Sequence, residues 1–220
     1  MIPTERSKDF WKRAGAYPAD KESVYPDHAI AQELDKHTGK CVLEYGCGGG
    51  SDAMSYLRRG CYVTFVDIVP ENVDATKARI GDQWPGKWDG LALHASDIIH
   101  VEYDSYDVAS SHGVLHHIEY PLPVLRELWR VLKPGGMLYV MLYTEVLRKS
   151  FEVQIAEHRE KHGISEEEAF GWCTDEQGCP YARAYTPDEG WELLREAGFD
   201  RFNSFTYEKD IFRTFRAVKP

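Results

Sequence analysis

Small residues and a carboxylate at the ends of two apolar runs could hold a ligand with a ribose group. The first apolar run, 41–45, is followed by Gly46, Gly48, Gly49 and Gly50. Glycines in a first strand-to-helix turn let the backbone approach a ligand closely. Asp67 ends the next apolar run, about 20 positions after the first glycine, where a carboxylate is placed to accept ribose hydroxyls. We therefore predict a binding site between these segments.

Three histidines after a later apolar run could supply a base. His112, His116 and His117 follow the run 106–110, and an unperturbed imidazole titrates at about pH 6.5. His117 is our first candidate for a catalytic base and His112 our second. The alternative is that these side chains bind cofactor or loop backbone and pack structurally. We find no nearby cysteine or carboxylate that completes a tetrahedral metal set with them, so we expect no metal.

The elements that position these residues alternate between strands and helices. Short apolar runs, typical of strands covered on both faces, occur at 41–45, 62–66, 91–95, 106–110 and 137–143. Helical patterns occur at 51–59, 70–80, 123–132 and 187–197. This alternation predicts βαβ units in a doubly wound α/β fold with a mostly parallel sheet. The runs 199–207 and 211–218 predict an antiparallel hairpin at one sheet edge.

Two segments do not follow the alternation. Residues 1–39 contain Phe10, Trp11 and Tyr17 on one face of a helical pattern, so we expect N-terminal cap helices packed on the core. Residues 144–185 are polar and rich in glutamate, and they are too long for an ordinary connection. We expect a helical lid without a strand there, within a single domain spanning 1–220.

Five motifs together identify a family. Glu44 precedes the glycines in an E-x-G-x-G-x-G pattern, whereas Ser51 stands where a dinucleotide fingerprint needs glycine or alanine. Asp67 follows the second strand, and Asp97 follows the third. The later motifs are the segment 106–118, which ends in Leu-His-His-Ile, and the Leu-Lys-Pro-Gly-Gly turn at 132–136. The chain therefore resembles the class I S-adenosylmethionine-dependent methyltransferases.

This resemblance implies a seven-stranded sheet in the order 3-2-1-4-5-7-6 with an antiparallel last strand. It implies S-adenosylmethionine as cofactor, S-adenosylhomocysteine as product, and methyl transfer to oxygen or nitrogen, less readily carbon, of a small-molecule metabolite. The residues expected to bind the cofactor are Glu44, Gly46, Cys47, Gly48, Asp67, Ile68, Asp97, Ile98, Ser111 and Tyr17. The fourth strand is not followed by the Asn/Asp-Pro-Pro-Phe/Tyr motif of enzymes that methylate amide or exocyclic base nitrogens.

Composition restricts the partners. A formal net charge of -10 disfavours a nucleic-acid substrate. No apolar run approaches the roughly 18 residues of a spanning helix, and the first residues lack the apolar core of a signal peptide, so we expect a cytoplasmic protein without a membrane segment. Five cysteines without a C-x-x-C pair favour reduced thiols.

Two other functions share parts of this pattern. A nicotinamide-dependent oxidoreductase would use the same glycine turn and ribose carboxylate, but Ser51 and the later motifs oppose it. A protein that binds S-adenosylmethionine without catalysis would retain the motifs. Retention of labelled S-adenosylmethionine, and not of nicotinamide nucleotide, would exclude the oxidoreductase. Methyl transfer would exclude the protein that only binds the cofactor.

Overall fold

The computed structural model describes residues 5–15, 33–93 and 98–220. One sheet runs through it. Its strands are β1 (Cys41–Tyr45), β2 (Tyr62–Asp67), β3 (Trp88–Ala92), β4 (Tyr106–His112), β5 (Leu132–Thr144), β6 (Ala184–Tyr185), β7 (Asp200–Tyr207) and β8 (Phe212–Val218).

The strand order is β3-β2-β1-β4-β5-β8-β7, with β6 paired to β5 alone. Strands β1 to β5 pair in parallel, whereas β8 is antiparallel to both β5 and β7. This order confirms the predicted sheet, since β7 and β8 are the sixth and seventh strands of the prediction. The expectation that the insert carries no strand is wrong at its end, because Ala184 and Tyr185 pair with Tyr143 and Thr144.

Helices cover both faces of the sheet and one end of it. They are α1 (Glu5–Ala14), α2 (Ser51–Arg58), α3 (Pro70–Ile80), α4 (Leu122–Val131), α5 (Glu145–Ser150), α6 (Glu152–His162), α7 (Glu166–Thr174) and α8 (Pro187–Glu196). Short 3-10 turns lie at Leu34–His37 and Leu115–His117. Pro70 starts α3 because its fixed φ suits a first turn. Thr186 and Glu189 form a capping box that starts α8.

The third strand lies three residues earlier than predicted. Trp88, Asp89 and Gly90 pair in parallel with β2, although the sequence 82–90 is typical of a loop. A Cβ atom at Gly90 would lie 2.3 Å from the ring of Phe65. Gly90 is therefore a strand residue, placed where a neighbouring ring leaves no room for a side chain.

Two other strand boundaries differ from the prediction by two residues or more. Strand β4 continues to His112, two residues past the predicted end. Strand β5 begins at Leu132, which pairs with Tyr106, and the ladder resumes at Met137, which pairs with Val108. The Lys-Pro-Gly-Gly turn is thus an irregularity within the strand, where proline cannot donate a ladder hydrogen bond.

A buried ionic network joins Glu33, which precedes β1, to the sheet. Glu33 is 8% exposed and accepts hydrogen bonds from Lys36 Nζ (3.0 Å), from Arg216 Nη1 (2.7 Å) and from the Tyr139 hydroxyl. Burial alone would raise the pKa of Glu33, but these three donors lower it below its ordinary value. The carboxylate therefore stabilises the fold in its charged form.

We expect the Glu33→Gln substitution to lower the free energy of unfolding by about 1–3 kcal/mol at neutral pH, because buried donors lose a charged acceptor. The lowered pKa means that this contribution is complete above the unfolded pKa of about 4.3. It is lost as the pH falls through the lower folded value. Urea unfolding of both proteins between about pH 7 and pH 3 should show the difference shrinking with acid. A constant difference would contradict this role.

We expect Gly90→Ala to destabilise the protein by about 1–3 kcal/mol, because the new methyl group meets the Phe65 ring in a packed core. Chemical denaturation measures the loss. In a double-mutant cycle, the pairing of Gly90→Ala with Phe65→Leu should cost less than the sum of the single changes. Additive costs would show that the ring does not set the requirement for glycine.

Candidate active site

A cavity of about 520 Å³ opens where the strands β1, β2, β4 and β5 end. Its volume lies within the usual range for small-molecule sites, and the carboxyl ends of parallel strands are where α/β sheets bind ligands. Helix α1, the residues that follow α7 and the start of β8 complete the wall through Trp11, Asp175 and Phe212.

The glycine turn forms one wall of the cavity. The amides of Gly46 and Cys47 donate to the carbonyl oxygen of Val66 at 2.8 and 3.0 Å, which joins the ends of β1 and β2. Gly46 has φ +82°, and a Cβ atom there would lie 2.3 Å from Val114. Gly48 has φ +50° and lines the cavity, and a Cβ atom there would meet open space. The turn therefore presents bare backbone to a ligand.

Asp67 faces this turn from the end of β2. Its Oδ2 accepts the Gly48 amide at 2.9 Å and its Oδ1 accepts the Val69 amide at 2.9 Å. Burial raises the pKa of Asp67, and the amides of Val69 and Gly48 oppose that rise. A carboxylate offers about four acceptor sites, and a third donor, Asn72 Nδ2, lies 3.3 Å from Oδ1. Asp67, which lines the cavity, therefore keeps about one acceptor site for a further donor such as a hydroxyl.

The structure brings half of the predicted cofactor residues to the cavity wall, namely Gly46, Cys47, Gly48, Asp67 and Ile68. Glu44 and Ser111 are buried but lie off the wall, because side chains alternate along a strand and Tyr45 and His112 face the cavity instead. Ile98 is 53% exposed and also lies off the wall. Tyr17 and Asp97 lie outside the described residues.

His112 lies on the wall between two protein partners. Its Nδ1 is 3.3 Å from Asp52 Oδ2, and its Nε2 is 2.9 Å from the Tyr207 hydroxyl. Both ring nitrogens are therefore within reach of buried polar side chains. This arrangement indicates that His112 is held in place by protein side chains. It does not favour a role in which the ring presents a lone pair to a ligand.

His116 is fully buried and does not line the cavity. Its ring stacks on Tyr143 with centroids 3.6 Å apart. Burial and the neighbouring His117 hold the pKa of His116 well below its ordinary value. His116 is therefore a neutral packing residue, which excludes it as the base that contacts a ligand.

His117 lines the cavity with one ring nitrogen fixed by the backbone. Its Nδ1 is 2.9 Å from the carbonyl oxygen of Tyr181, and a carbonyl oxygen only accepts, so Nδ1 carries the proton and donates. The other nitrogen, Nε2, is 3.6 Å from Asp175 Oδ1. In the neutral ring Nε2 bears the lone pair, so it is the atom able to take a proton from a ligand.

The expectation that no nearby cysteine or carboxylate completes a metal set with these histidines stays a prediction, although the chain after α7 brings Asp175 and Cys179 to His117. Cys179 Sγ lies 3.9 Å from Nδ1, however, on the side already bonded to the Tyr181 carbonyl. Burial raises the pKa of Cys179 to about 12, so it is a neutral thiol. Only Nε2 and Asp175 meet on one side, fewer than the three protein ligands of a catalytic zinc site.

Helix α1 closes the cavity against the predicted lid. Trp11 packs edge-on against His117 with ring centroids 4.7 Å apart, and Phe10 is buried beside it. Arg6 forms an ion pair with Glu168 of α7. Arg6 therefore joins α1 to the segment 144–185.

Sequence reasoning missed the cavity-lining residues Asp175 and Phe212. A carboxylate shortly after a helix of the insert is a common pattern on a solvated surface, so it carries no local signal. Asp175 reaches the site through the path of the insert, since the Arg183 amide donates to the His116 carbonyl at 2.9 Å and joins the insert to the histidine turn. Phe212 reaches it at the start of β8, where it pairs with Tyr143 of β5.

Comparison with known proteins shows that this part of the chain is similar to methyltransferases. A family model described as "Methyltransferase domain" matches residues 43–140, which hold the glycine turn, Asp67 and the histidine turn. The ubiquinone biosynthesis O-methyltransferase of Aeromonas salmonicida is 31% identical over 107 residues, 46% of this chain and 42% of that protein. The match to this relative, like that to its Xanthomonas oryzae counterpart, spans less than half the relative's length.

Solved structures share the fold. A putative methyltransferase from Bacillus halodurans superposes with a TM-score of 0.63 at 14% identity, covering 87% of this chain and 99% of that one. Phosphoethanolamine N-methyltransferase 2 of Haemonchus contortus, solved with S-adenosylmethionine, gives a TM-score of 0.63 at 15% identity. The match covers 86% of this chain and 51% of that one. Among the helices in the described part of the chain, none has the length and apolarity to cross a bilayer.

Proposed function

We propose that this protein, a member of the class I S-adenosylmethionine-dependent methyltransferases, transfers a methyl group from its cofactor to a nitrogen or oxygen of a small molecule. The observation that carries the proposal is the cavity itself. Gly48, Asp67 and His117 all line it, which supports a ligand that spans from the glycine turn to the histidine turn. The name of the curated relatives supports methyl transfer, and their O-methyltransferase activity makes oxygen one candidate acceptor.

The residues at the glycine turn fit the cofactor. The open space beside Gly48, which a side chain would fill, is suited to a close ligand, and Asp67 offers an acceptor site to a ribose hydroxyl. S-adenosylmethionine supplies a methyl group already activated on a positively charged sulfur. The protein therefore needs to hold the acceptor in line with that group and to exclude water.

His117 is our candidate for the base, which a nucleophile needs when it carries a proton. Its tautomer is set by the Tyr181 carbonyl, and the residue lines the cavity. Nε2 itself is buried, without a hydrogen-bond partner among the described residues, and Asp175 Oδ1 lies 3.6 Å from it. His112, held between Asp52 and Tyr207, is better suited to position the wall than to move a proton.

The oxidoreductase alternative has less support. Ser51 stands where the dinucleotide fingerprint needs a small apolar residue; it is the first residue of α2 and is itself part of the cavity wall. The matched family and the named relatives are methyltransferases. A protein that binds the cofactor without catalysis remains the alternative that turnover tests.

We expect Gly48→Arg to abolish binding of S-adenosylhomocysteine, measured by isothermal titration calorimetry, because the new side chain fills the approach space beside Asp67. Gly163→Arg is the matched control. Gly163 also has a left-handed backbone, with φ +64°, and open space at its Cβ position, but it ends α6 away from the cavity. Wild-type affinity in Gly48→Arg, or no binding by the unmodified protein, would contradict the proposal.

We expect His117→Ala to lower kcat by about 10² to 10⁴, the usual contribution of a general base, while affinity for S-adenosylhomocysteine changes little. The assay follows tritiated methyl transfer from S-adenosylmethionine to a panel of small amines and phenols. His158→Ala on α6 removes a histidine that does not line the cavity and should leave kcat unchanged. Equal kcat in the His117 variant and the unmodified protein would exclude this base.

A further inference from the structure

The charges around the cavity are of one sign. Its described lining residues include the carboxylates Asp67, Asp175 and Glu176 and no lysine or arginine. Asp67 belongs to the glycine turn, whereas Asp175 and Glu176 lie at the histidine end, where an acceptor would meet the methyl group. Fixed negative charge in a half-enclosed cavity attracts cations and repels phosphate or carboxylate groups.

Among the described residues, the two arginines of α1 do not offset these carboxylates. Arg6 forms its ion pair with Glu168 on the lid, and its side chain is 57% exposed. Arg13 lies over the ring of Phe10, 5.5 Å from the ring centroid, and does not line the cavity. The histidine end of the cavity therefore keeps a net negative wall for its ligand.

The pair formed by His117 and Asp175 brings two acceptor atoms together at this end of the cavity, and the buried Nε2 has no hydrogen-bond partner among the described residues. Nε2 of His117 carries a lone pair because Nδ1 donates to the Tyr181 carbonyl at 2.9 Å, and Asp175 Oδ1 lies 3.6 Å from that nitrogen. Two acceptors this close are best satisfied by a group with several hydrogen-bond donors and a positive charge, which an ammonium group provides.

Proton transfer in this setting also favours an amine over a hydroxyl acceptor. When an ammonium group gives its proton to His117, the positive charge moves from the substrate nitrogen to the imidazole, and both groups lie beside Asp175. When a neutral hydroxyl gives its proton, a new oxyanion forms next to the carboxylate, and like charges disfavour that state.

The remaining wall at this end is aromatic. Trp11 packs against His117, and Tyr143 and Phe212 lie with ring centroids 5.9 Å apart. All three line the cavity. Aromatic faces bind both an apolar substituent and a nearby cation. Together with the carboxylates they fit an amine that carries a compact hydrophobic or aromatic group.

We propose that the acceptor is a small hydrophobic amine, bound as its ammonium ion by Asp175 with Glu176 and deprotonated by His117. This inference rests on the proposed function. After Nε2 of His117 takes one ammonium proton, the amine lone pair forms a bond to the methyl carbon of the donor. The carbon–sulfur bond breaks, and its electron pair stays on sulfur, which becomes a neutral thioether.

Three probes of similar size test the end-group preference: phenethylamine, phenethyl alcohol and 3-phenylpropionate. Each is titrated into the protein saturated with S-adenosylhomocysteine, and affinity is measured by calorimetry. We expect the amine to bind at least tenfold more tightly than the alcohol, since it forms charge-assisted hydrogen bonds, and the carboxylate to show no binding. Equal affinities, tighter carboxylate binding or no amine binding at millimolar concentration would overturn the inference.

Asp175→Asn tests the carboxylate directly. We expect about a tenfold or greater loss of phenethylamine affinity, with S-adenosylhomocysteine affinity unchanged, which also shows that the variant is folded. Asp188→Asn, an exposed position on α8, removes the same charge away from the cavity and should change neither affinity. Unchanged amine affinity in Asp175→Asn would overturn the inference.

A loss of S-adenosylhomocysteine affinity in Asp175→Asn, with the folded state intact by circular dichroism, would instead assign Asp175 to the cofactor's own ammonium group and would also overturn the inference. The two proposals fail differently. No S-adenosylhomocysteine binding by the unmodified protein contradicts the proposed function before any amine is added. Cofactor binding without amine preference contradicts the amine acceptor alone.

Discussion

Three backbone amides at the end of β1 determine the shape of the site. Those of Gly46 and Cys47 bind the Val66 carbonyl, and that of Gly48 binds the Asp67 carboxylate. These bonds join the ends of two central strands and leave open space beside the Gly48 backbone. Positive φ angles at Gly46 and Gly48 are part of the same constraint, because most residues with a Cβ atom are strained there. Because Gly48 has no side chain, the space beside this turn stays open and forms part of the cavity.

The opposite end of the cavity depends on long-range packing. The His112 to His117 turn follows β4, but its ring nitrogens are oriented by residues from α2, β7 and the chain after α7. Asp52 and Tyr207 hold His112, and the Tyr181 carbonyl sets the tautomer of His117. Helix α1 then covers His117 with Trp11. The acceptor end is therefore built from separate parts of the chain. Its negative wall consists of Asp175 and Glu176, which follow α7.

The glycine turn and the order of the sheet could be predicted because their signals are local: apolar runs, turn residues and the spacing to Asp67. The predicted position of strand β3 was wrong because Gly90 is typical of a loop. The position of the Phe65 ring explains why a glycine stands within this strand. The side of β1 and β4 that faces the cavity could not be predicted, because both faces are buried and apolar runs lose their alternation. Glu44 and Ser111, which the family resemblance implies as cofactor residues, lie off the wall. Asp175 reaches His117 by the folding of the lid, which leaves no pattern in the sequence.

A crystal structure of the protein with S-adenosylhomocysteine tests most directly whether this cavity holds the methyl donor. We expect the ribose hydroxyls within hydrogen-bond distance of Asp67, the amino-acid part along the Gly46 to Gly48 backbone, and the sulfur facing the side of the cavity that carries His117 and Asp175. A ligand bound elsewhere, or one whose ribose does not contact Asp67, would contradict the account.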